Sequence, residues 1–414
     1  MQFGKESSLR QLSRLAWRNV RRHRSRSAMT ILAIVAGVSS LMLAGGFVED
    51  LFRQLGESLI HSQSGHLQIG RAGSFTHGSR SPEKYLIEDV DELRGRLAER
   101  NEVDDAMARV RFSALLGNGK AELAVVAEGI EPEREAGLGT HIRIESGQVL
   151  TGADHDGILL GHGVARAMKL APGDRVNLLV STAGGALNTL DFRVVGTFKT
   201  FSNEFDARAV RIGLPAAQEL LGTAGASALV ILLHRTADTS PVASLFESAA
   251  RGKGLEVKTW IELNDFYEKT VALYRRQLGV LELIILVMVA LGVVNLVNMT
   301  VLERVGEFGT MRALGNGNVD VFMLVMIENA LLAAFGALLG LVAGGALAWA
   351  VSAIGIPMPP PPNSDLGYTA RILLTPPVLL KGFSVGFVAT VLAALPPAWR
   401  VARMPIAEQL RRAI

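Results

Sequence analysis

The sequence predicts an α-helical membrane protein with four transmembrane helices and an α+β extracytoplasmic domain carried on two helical stalks. Three observations lead to this class. Four long stretches contain almost no charged residues, basic residues gather in the first 27 residues, and the segment 61–262 contains short runs typical of β-strands. The average composition, 49% hydrophobic and 20% charged residues, therefore combines unlike regions.

Composition also excludes several classes of protein. The chain has no cysteine, which rules out disulfide bonds, thiolate metal sites and a cysteine nucleophile. Lys and Arg number 42 against 39 Asp and Glu, and this balance argues against a nucleic-acid-binding protein. The apolar fraction is too high for a disordered chain.

Residues 1–27 are predicted to be a cytoplasmic amphipathic helix. Leu9, Leu12 and Leu15 stand among arginines, and the only acid of this segment is Glu6. Because arginine attracts anionic lipid and tryptophan prefers the headgroup region, the helix is predicted to lie on the membrane surface. The residues assigned to that surface are Trp17, Arg18, Arg21 and Arg22. A basic tail that serves only membrane topology is the alternative.

Residues 28–60 are predicted to form the first transmembrane helix and its stalk. Ala28 to Val48 carries no charge over 21 residues, which at about 1.5 Å per residue spans roughly 30 Å of hydrocarbon. A buried core helix and a cleaved signal peptide are the alternatives. They fit less well, because 27 residues precede this stretch and three more apolar stretches follow it.

Three further spans complete the predicted membrane part. After the extracytoplasmic domain, a stalk continues into the second span as one helix, and two more spans follow. The predicted order is stalk and second span at 263–302, a cytoplasmic loop at 303–318, the third span at 319–352, an outer loop at 353–377, the fourth span at 378–399 and a tail at 400–414.

The distribution of basic residues predicts the orientation. An even number of spans places both termini on one side of the membrane, and Lys and Arg favour the cytoplasmic side. The first 27 residues, the 303–318 loop and the tail are richer in arginine than the 353–377 loop, which contains Arg371 only. We therefore expect both termini in the cytoplasm of a bacterium and residues 61–262 outside its inner membrane.

The segment 61–262 is predicted to fold as an α+β domain. Turn signals such as Asn118-Gly119 and Pro172-Gly173-Asp174 separate its short β-like runs, and helical patterns occur at 90–100 and 216–221. The predicted strands are 109–112, 122–129, 175–181, 191–198 and 228–233.

The same segment contains few signals of catalysis. Its histidines and Asp154-His155-Asp156 suggest a metal site, yet their spacing matches no metal-binding motif, so solvated loop residues are the preferred interpretation. Gly117-Asn118-Gly119-Lys120 lacks the rest of a phosphate-binding loop. We therefore expect no catalytic residues, no bound cofactor and no metal, and the chain is predicted not to hydrolyse ATP by itself.

Several phrases of the sequence resemble one family. Residues 303–315, ERVGEFGTMRALG, closely resemble a segment of the FtsX-like permeases, the membrane subunits of MacB- and LolC/LolE-type ABC transporters. Ala16-Trp17-Arg18-Asn19 is similar to the amino-terminal helix of this family, and residues 397–411 are similar to its carboxy-terminal ending. Gly157 to Gly161, Pro172-Gly173-Asp174 and Val194 to Phe198 are similar to phrases of its MacB-like periplasmic core domain.

The resemblance implies a function for the 303–318 loop. In this family the corresponding segment is a cytoplasmic coupling helix that receives a separate ATPase subunit. Met311 and Leu314 offer an apolar contact, and the charges of Glu307 and Arg312 can set its register. The residues assigned to coupling are Glu303, Arg304, Glu307, Met311, Arg312, Leu314 and Gly315. A surface loop whose charges only set topology is the alternative.

The resemblance also implies partners. ATP and Mg would be bound by a dimer of the partner ATPase, and a second permease copy or a paralogue would complete the complex. We expect movement of the coupling helices to pass through the stalks to the outer domains. Release of lipoproteins to a periplasmic carrier is the first hypothesis for the substrate. Export of a peptide, antibiotic or other amphiphile through an adaptor is the second, and regulation of a periplasmic partner such as a cell-wall hydrolase is the third.

Overall fold

The computed structural model describes residues 14–22, 24–78, 82–182, 186–250, 252, 254–360 and 367–411. The chain divides into two compact units. The membrane unit consists of Met1–Phe52, Ala272–Pro357 and Thr369–Ile414, and the inserted domain consists of Arg53–Val271 and Met358–Tyr368. Leu9 and Leu12, which contribute to the predicted surface helix, lie outside the described residues, as do residues 361–366 of the predicted outer loop.

Seven helices in the described residues lie wholly or partly in the membrane unit. They are α1 (14–22), α2 (Arg24–Leu59), α10 (Asp265–Glu303), α11 (Val305–Ala313), α12 (Asn318–Ile354), α13 (Pro376–Arg403) and α14 (Ile406–Arg411). Among the described residues, four helical stretches are long and apolar enough to cross a membrane: Ser27–Ser64, Tyr267–Glu303, Asn318–Ile354 and Pro376–Arg403. The prediction of four spans is confirmed.

The helices α2 and α10 include the stretches predicted as stalks. The segment predicted at 28–60 forms α2 and enters a π-helical turn, Ile60–Ser64. The segment predicted at 263–302 forms the single helix α10, which contains no proline that would interrupt its backbone hydrogen bonds. The predicted outer loop contains two short strands, β11 (Ile356–Met358) and β12 (Tyr368–Ala370).

Small residues allow close packing between α2 and α12. Gly336, Gly340 and Gly344 recur every four residues on one face of α12. A Cβ atom on Gly340 would lie 2.8 Å from the Cβ atom of Val38 on α2, so only glycine permits this approach. Such spacing is typical of helix contacts in membranes, where tight packing replaces the hydrophobic effect.

The inserted domain is built on a ten-stranded mixed sheet. Its strands are β1 (Leu67–Arg71), β2 (Val103–Gly117), β3 (Glu122–Ile130), β4 (Arg143–Gly147), β5 (Gly157–Gly161), β6 (Arg175–Ser181), β7 (Leu187–Lys199), β8 (Ala209–Gly213), β9 (Ala228–Leu233) and β10 (Leu255–Thr259). Its helices are α3 (Ser74–His77), α4 (Val90–Ala98), α5 (Pro132–Leu138), α6 (His162–Met168), α7 (Asn203–Asp206), α8 (Leu214–Leu221) and α9 (Thr239–Ala250), with short 3₁₀ turns at Pro82–Tyr85, Gly139–His141 and Thr236–Asp238.

The strand order is β10-β1-β9-β2-β3-β8-β5-β7-β4, and β6 pairs with β2 and β7. The long strand β2 joins the two halves of this sheet. Its first part pairs with β9 and its second part with β3, both antiparallel. The β3–β8 and β5–β7 pairs are parallel. The predicted α+β class is therefore confirmed.

Each half of the sheet has its own apolar core. In the larger core, Phe112 and Ile212 of the sheet pack with Leu220 of α8, and all three are fully buried. In the smaller core, Ile231 of β9 packs with Phe246 of α9. These cores hold both ends of β2 in place, which determines where its polar side chains lie.

Candidate functional site

The predicted coupling segment, 303–318, folds as a short helix between two spans. The backbone leaves the α10 geometry at Arg304, and α11 begins at Val305. At its other end, Gly315 has a φ of 101°, its N–H donates to the carbonyl of Arg312, and the N–H of Asn316 donates to that of Met311. This pair of bonds is the Schellman ending, which favours glycine at the left-handed position. Gly315 therefore terminates the helix.

Arg304 joins three helices through its guanidinium group. Its Nη1 lies 2.8 and 2.9 Å from the two carboxylate oxygens of Glu328 on α12, and its Nε lies 2.9 Å from a carboxylate oxygen of Glu307 on α11. The guanidinium also lies 5.2 Å from the ring centre of Phe308. Arg304 and Glu328 are both buried, so each charge depends on the other. This ion pair fixes the start of α11 against α12.

The far end of α11 is held by the carboxy-terminal helix. Arg312 donates to the backbone carbonyl of Met404 and lies 3.4 Å from the side-chain oxygen of Gln409 on α14. Gln409 is buried and donates to the carbonyl of Val401 at 2.8 Å. A Cβ atom on Gly309 would lie 3.0 Å from that of Gln409, so α11 and α14 are in close contact. Arg312 is thus engaged inside the membrane unit.

The two apolar residues assigned to coupling occupy different environments. Met311 is half-buried and packs against the core of the membrane unit. Leu314 is 80% exposed, and Val319 at the start of α12 is 70% exposed. Glu303 is also exposed. At the carboxy-terminal end of this segment, the apolar surface open to a partner is therefore formed by Leu314 together with Val319 of α12.

The four residues assigned to the membrane surface lie on helix α1. Arg18, Arg21 and Arg22 are exposed, and Arg22 lies 3.9 Å from Glu307 of the coupling segment. Trp17 is 43% exposed, and its ring centre lies 5.5 Å from that of Phe335 on α12. The structure therefore brings α1 and the coupling segment together in the membrane unit.

Sequence reasoning missed two partners of this site. Glu328 lies within the predicted third span, and a carboxylate in an apolar span is itself a signal that a charged partner exists, but that signal does not say which arginine it is. Gln409 was not assigned either. It belongs to the carboxy-terminal phrase that resembles the family, and only folding places it beside Arg312.

A second feature of the membrane unit is an apolar crevice between α2, α10 and α13. Its volume is about 560 Å³, and Leu41, Val48 and Val385 are among its lining residues. Lys381 on α13 and Glu282 on α10 also line it, and both Nζ–carboxylate distances are 2.7 Å. A crevice of this chemistry can accept an apolar chain beside a charged group.

The predicted alternative of a metal site concerns the histidines of the inserted domain, and three of these lie close together. His61 stacks on His141 with ring centres 5.3 Å apart, and it lies 3.4 Å from a carboxylate oxygen of Glu57. Within the described part of the chain, no group of three or more His, Asp or Glu residues has a geometry that could hold a metal ion.

Two protein-family models match the chain. The MacB-like periplasmic core domain matches residues 27–249, and the FtsX-like permease C-terminal domain matches residues 279–406. The first match alone covers more than half of the chain. Together the matches include most of the inserted domain, the coupling segment and most of the four spans, and residues 250–278 lie outside both.

Similar proteins include permeases of two kinds. The transmembrane protein LolC of the lipoprotein-releasing system of Xylella fastidiosa (strain Temecula1) is 24% identical, over 93% of each chain. The macrolide export protein MacB of Campylobacter jejuni (strain 81-176) is 23% identical over 80% of this chain and 52% of that protein. The periplasmic region of MacB from Actinobacillus actinomycetemcomitans, a solved structure, covers 51% of this chain and 95% of its own, with 14% identity and a TM-score of 0.36.

The family matches agree with the architecture described above. Residues 61–249, the main part of the inserted domain, lie within the match to the periplasmic core domain, and the coupling segment lies within the permease match. This chain belongs to the FtsX-like permeases with a MacB-like periplasmic core domain, the membrane subunits of ABC transporters.

Proposed function

We propose that this permease couples ATP hydrolysis by a separate cytoplasmic ATPase dimer to movement of its periplasmic domain. One observation carries the proposal: α11 is held by a buried ion pair at one end and by part-buried hydrogen bonds at the other, while Leu314 and Val319 stay exposed beside it. A partner that seats on this apolar surface would move α11 together with α12 and α14. ATP and Mg would be bound by the partner ATPase.

The orientation belongs to the same proposal. The basic residues of the first 27 positions support cytoplasmic termini in a bacterial inner membrane. The coupling segment lies on the same side as the termini, because one hairpin of spans separates it from each of them. Trp17, Arg18, Arg21 and Arg22 would then contact the inner leaflet, where arginine attracts anionic lipid.

A two-subunit permease is part of the proposal as well. Two ATPase subunits that close on each other need two coupling segments, supplied by a second copy of this chain or by a paralogue. In the span Tyr267–Glu303, 11% of the most apolar stretch is buried within the chain, against 28–33% for the other spans. This span therefore has apolar surface left for a contact outside the chain. Lipid or a second permease would cover the remainder.

The coupling role is tested with Leu314→Asp. The substitution places a charge on the exposed apolar surface and leaves the buried Arg304–Glu328 pair untouched. We expect loss of co-purification with the ATPase and of its permease-stimulated activity. Leu187→Asp is the matched control, because Leu187 is 72% exposed on the inserted domain. Unchanged association of the Leu314→Asp permease would disprove the coupling role of this surface.

We propose that the substrates are lipoproteins, which the transporter releases from the inner membrane to a periplasmic carrier. The apolar crevice beside the Lys381–Glu282 pair supports a substrate with an acyl chain and a polar part. Native mass spectrometry of the complex purified from its own membranes tests this choice, and a bound diacylated lipoprotein is the expected result.

Two other results would contradict the lipoprotein hypothesis and favour another function. Sensitivity to an amphiphilic drug on deletion of the gene, together with capture of a periplasmic adaptor, would indicate export of a peptide, antibiotic or other amphiphile. Capture of a cell-wall hydrolase without any bound amphiphile would indicate regulation of a periplasmic enzyme.

A further inference from the structure

The first stalk ends inside the inserted domain in an unusual turn. Helix α2 continues beyond Leu59 as the π-helical turn Ile60–Ser64, in which Ile60 and Ser62 are fully buried. The turn stops at Gly65, which has a φ of 63°. A Cβ atom there would lie 2.5 Å from a methyl group of Val230. The π turn therefore leads directly into strand β1 with no flexible linker.

Two buried arginines donate to the backbone carbonyls of this turn. Nη2 of Arg211 on β8 lies 2.8 Å from the carbonyl oxygen of Ser62, and Nη1 of Arg109 on β2 donates to that of Gln63. Carbonyls at the end of a helix lack partners within it and carry a partial negative charge. The guanidinium groups satisfy these carbonyls and connect the turn to two different strands of the sheet.

Each arginine is also held by a buried glutamate. Nε of Arg211 lies 3.2 Å from a carboxylate oxygen of Glu128 on β3, and Nε of Arg109 lies 3.1 Å from one of Glu135 on α5. All four side chains are at most 5% exposed. Burial by itself raises the pKa of Glu128, but the charges of the nearby arginines outweigh burial and hold that pKa below its ordinary value. Glu128 therefore stays ionised.

The aromatic surroundings restrict one of these arginines further. The guanidinium of Arg211 lies 5.4 Å from the ring centre of Phe198 and 6.0 Å from that of Phe205. Each guanidinium uses different nitrogens for its carboxylate partner, Glu128 or Glu135, and for the carbonyl of the π turn. Lysine could neutralise the carboxylate, but it lacks the rigid fork that reaches both acceptors.

We infer that Arg109 and Arg211 are positioning residues that make a rigid joint between the first stalk and the sheet, so that movement of the stalk is passed to the periplasmic domain. This inference deepens the proposed coupling function and rests on it. An ion pair that served stability alone could be replaced by apolar residues without loss. The bonds to the stalk carbonyls give the arginines a role that apolar residues cannot supply.

Distance measurements between spin labels test the joint in the full-length permease. The chain contains no cysteine, so Arg53→Cys on α2 and Ala124→Cys on β3 would place two labels and no others. Both positions are exposed. With the native joint we expect one narrow distance distribution in the absence of ATPase and nucleotide. Arg211→Lys and Arg109→Lys should each broaden it, while thermal unfolding stays near that of the labelled parent.

The control variant is Arg193→Lys. Arg193 belongs to the same domain and forms a partly exposed ion pair with Asp154 at 3.6 Å, so its replacement should leave the distribution narrow. The inference is overturned if both joint variants keep the narrow distribution, or if they lower thermal stability as much as Arg211→Met, which would indicate a purely structural role. Because no ATPase is present, these outcomes are distinct from failure of the coupling role tested at Leu314.

Discussion

Arg304 in the membrane unit and Arg211 in the inserted domain are both buried and both paired with a buried glutamate, yet their surroundings differ. Arg304 also binds Glu307, whose side chain is 43% exposed beside the coupling segment. Arg211 instead donates to a backbone carbonyl and lies against aromatic rings. The first network reaches the surface where a partner would bind, whereas both charged members of the second are buried in the domain.

The two networks are therefore suited to different roles, one at the site where a partner binds and one inside the inserted domain. A network with an exposed edge can change when a partner neutralises or displaces Glu307, so it suits an input site. A buried network in which each charge has a partner keeps its geometry. It is therefore suited to passing movement from the stalk to the sheet. Two substitutions test whether the two networks differ in this way, and two further changes show how weaker polar contacts compare with them, in order of expected effect.

The largest effect is expected from Arg304→Met. The substitution leaves Glu328 buried in an apolar span without its guanidinium partner. Removing one member of a buried pair typically costs about 3–5 kcal/mol. We expect such a loss in thermal unfolding of the permease in detergent. In the double variant Arg304→Met/Glu328→Leu most of the loss should be recovered, and a double variant as unstable as the single one would contradict this account.

Arg211→Met should destabilise the inserted domain somewhat less. Glu128 would lose its closest partner, but Arg109 and Arg111 also lower its pKa and would remain. We therefore expect a loss near the lower end of about 3–5 kcal/mol, measured by thermal unfolding of the full chain. If Arg211→Met proved more damaging than Arg304→Met, the ranking of the two networks would be reversed.

Acidification should weaken the inserted domain near the first stalk. The N–H of Leu233 donates to Nδ1 of His66, so the neutral ring carries its proton on Nε2, 3.0 Å from the hydroxyl oxygen of Thr236. That hydroxyl donates to Glu57 on α2 at 2.8 Å. Protonation of Nδ1 would break the bond from Leu233. Burial and the charge of His61 lower the pKa of His66 to about 4.

The direction of this pH effect follows from linkage. Between pH 6.5 and about 4 the unfolded chain binds a proton at this histidine and the folded chain does not, so stability falls as the pH falls. The charges of Glu57 and Asp104 raise the pKa of His66 and so oppose this lowering. A cavity of about 510 Å³ beside the ring can hold water, which screens a charge on the ring. We expect a loss of about 1–2 kcal/mol in thermal unfolding. In His66→Gln that acid-dependent loss should shrink, and an equal loss in both proteins would exclude His66.

The smallest effect is expected from Lys381→Met. The side chain of Lys381 is 60% exposed and that of Glu282 is 26% exposed, so the chain encloses this ion pair less than it encloses the Arg304–Glu328 pair. Exposed pairs contribute about 0–1 kcal/mol. Thermal unfolding of the full chain should therefore change by less than about 1 kcal/mol. A loss comparable to that of Arg304→Met would show that this pair behaves as a buried one.

The coupling segment shows how much of the site could be predicted. Its position between two spans follows from the charge distribution, and its helical nature from the resemblance to the family, whereas the structure shows that Gly315 ends the helix. The separate environments of Met311 and Leu314 do not follow from the sequence, because residues three apart can lie on one helix face and still differ in burial when another helix covers part of it. Here Met311 packs against the core of the membrane unit, whereas Leu314 stays exposed.

The four spans can be predicted from the sequence alone, because charge is excluded from hydrocarbon whatever the arrangement of the helices. The same holds for the β-rich inserted domain, since alternation and turn residues are local signals. Which arginines are buried can be seen only in the tertiary structure. Arg109 and Arg211 stand in strands where alternate positions usually face solvent, and their burial depends on Glu135, Glu128 and the π turn. Those partners are distant in sequence, so no local pattern could reveal them.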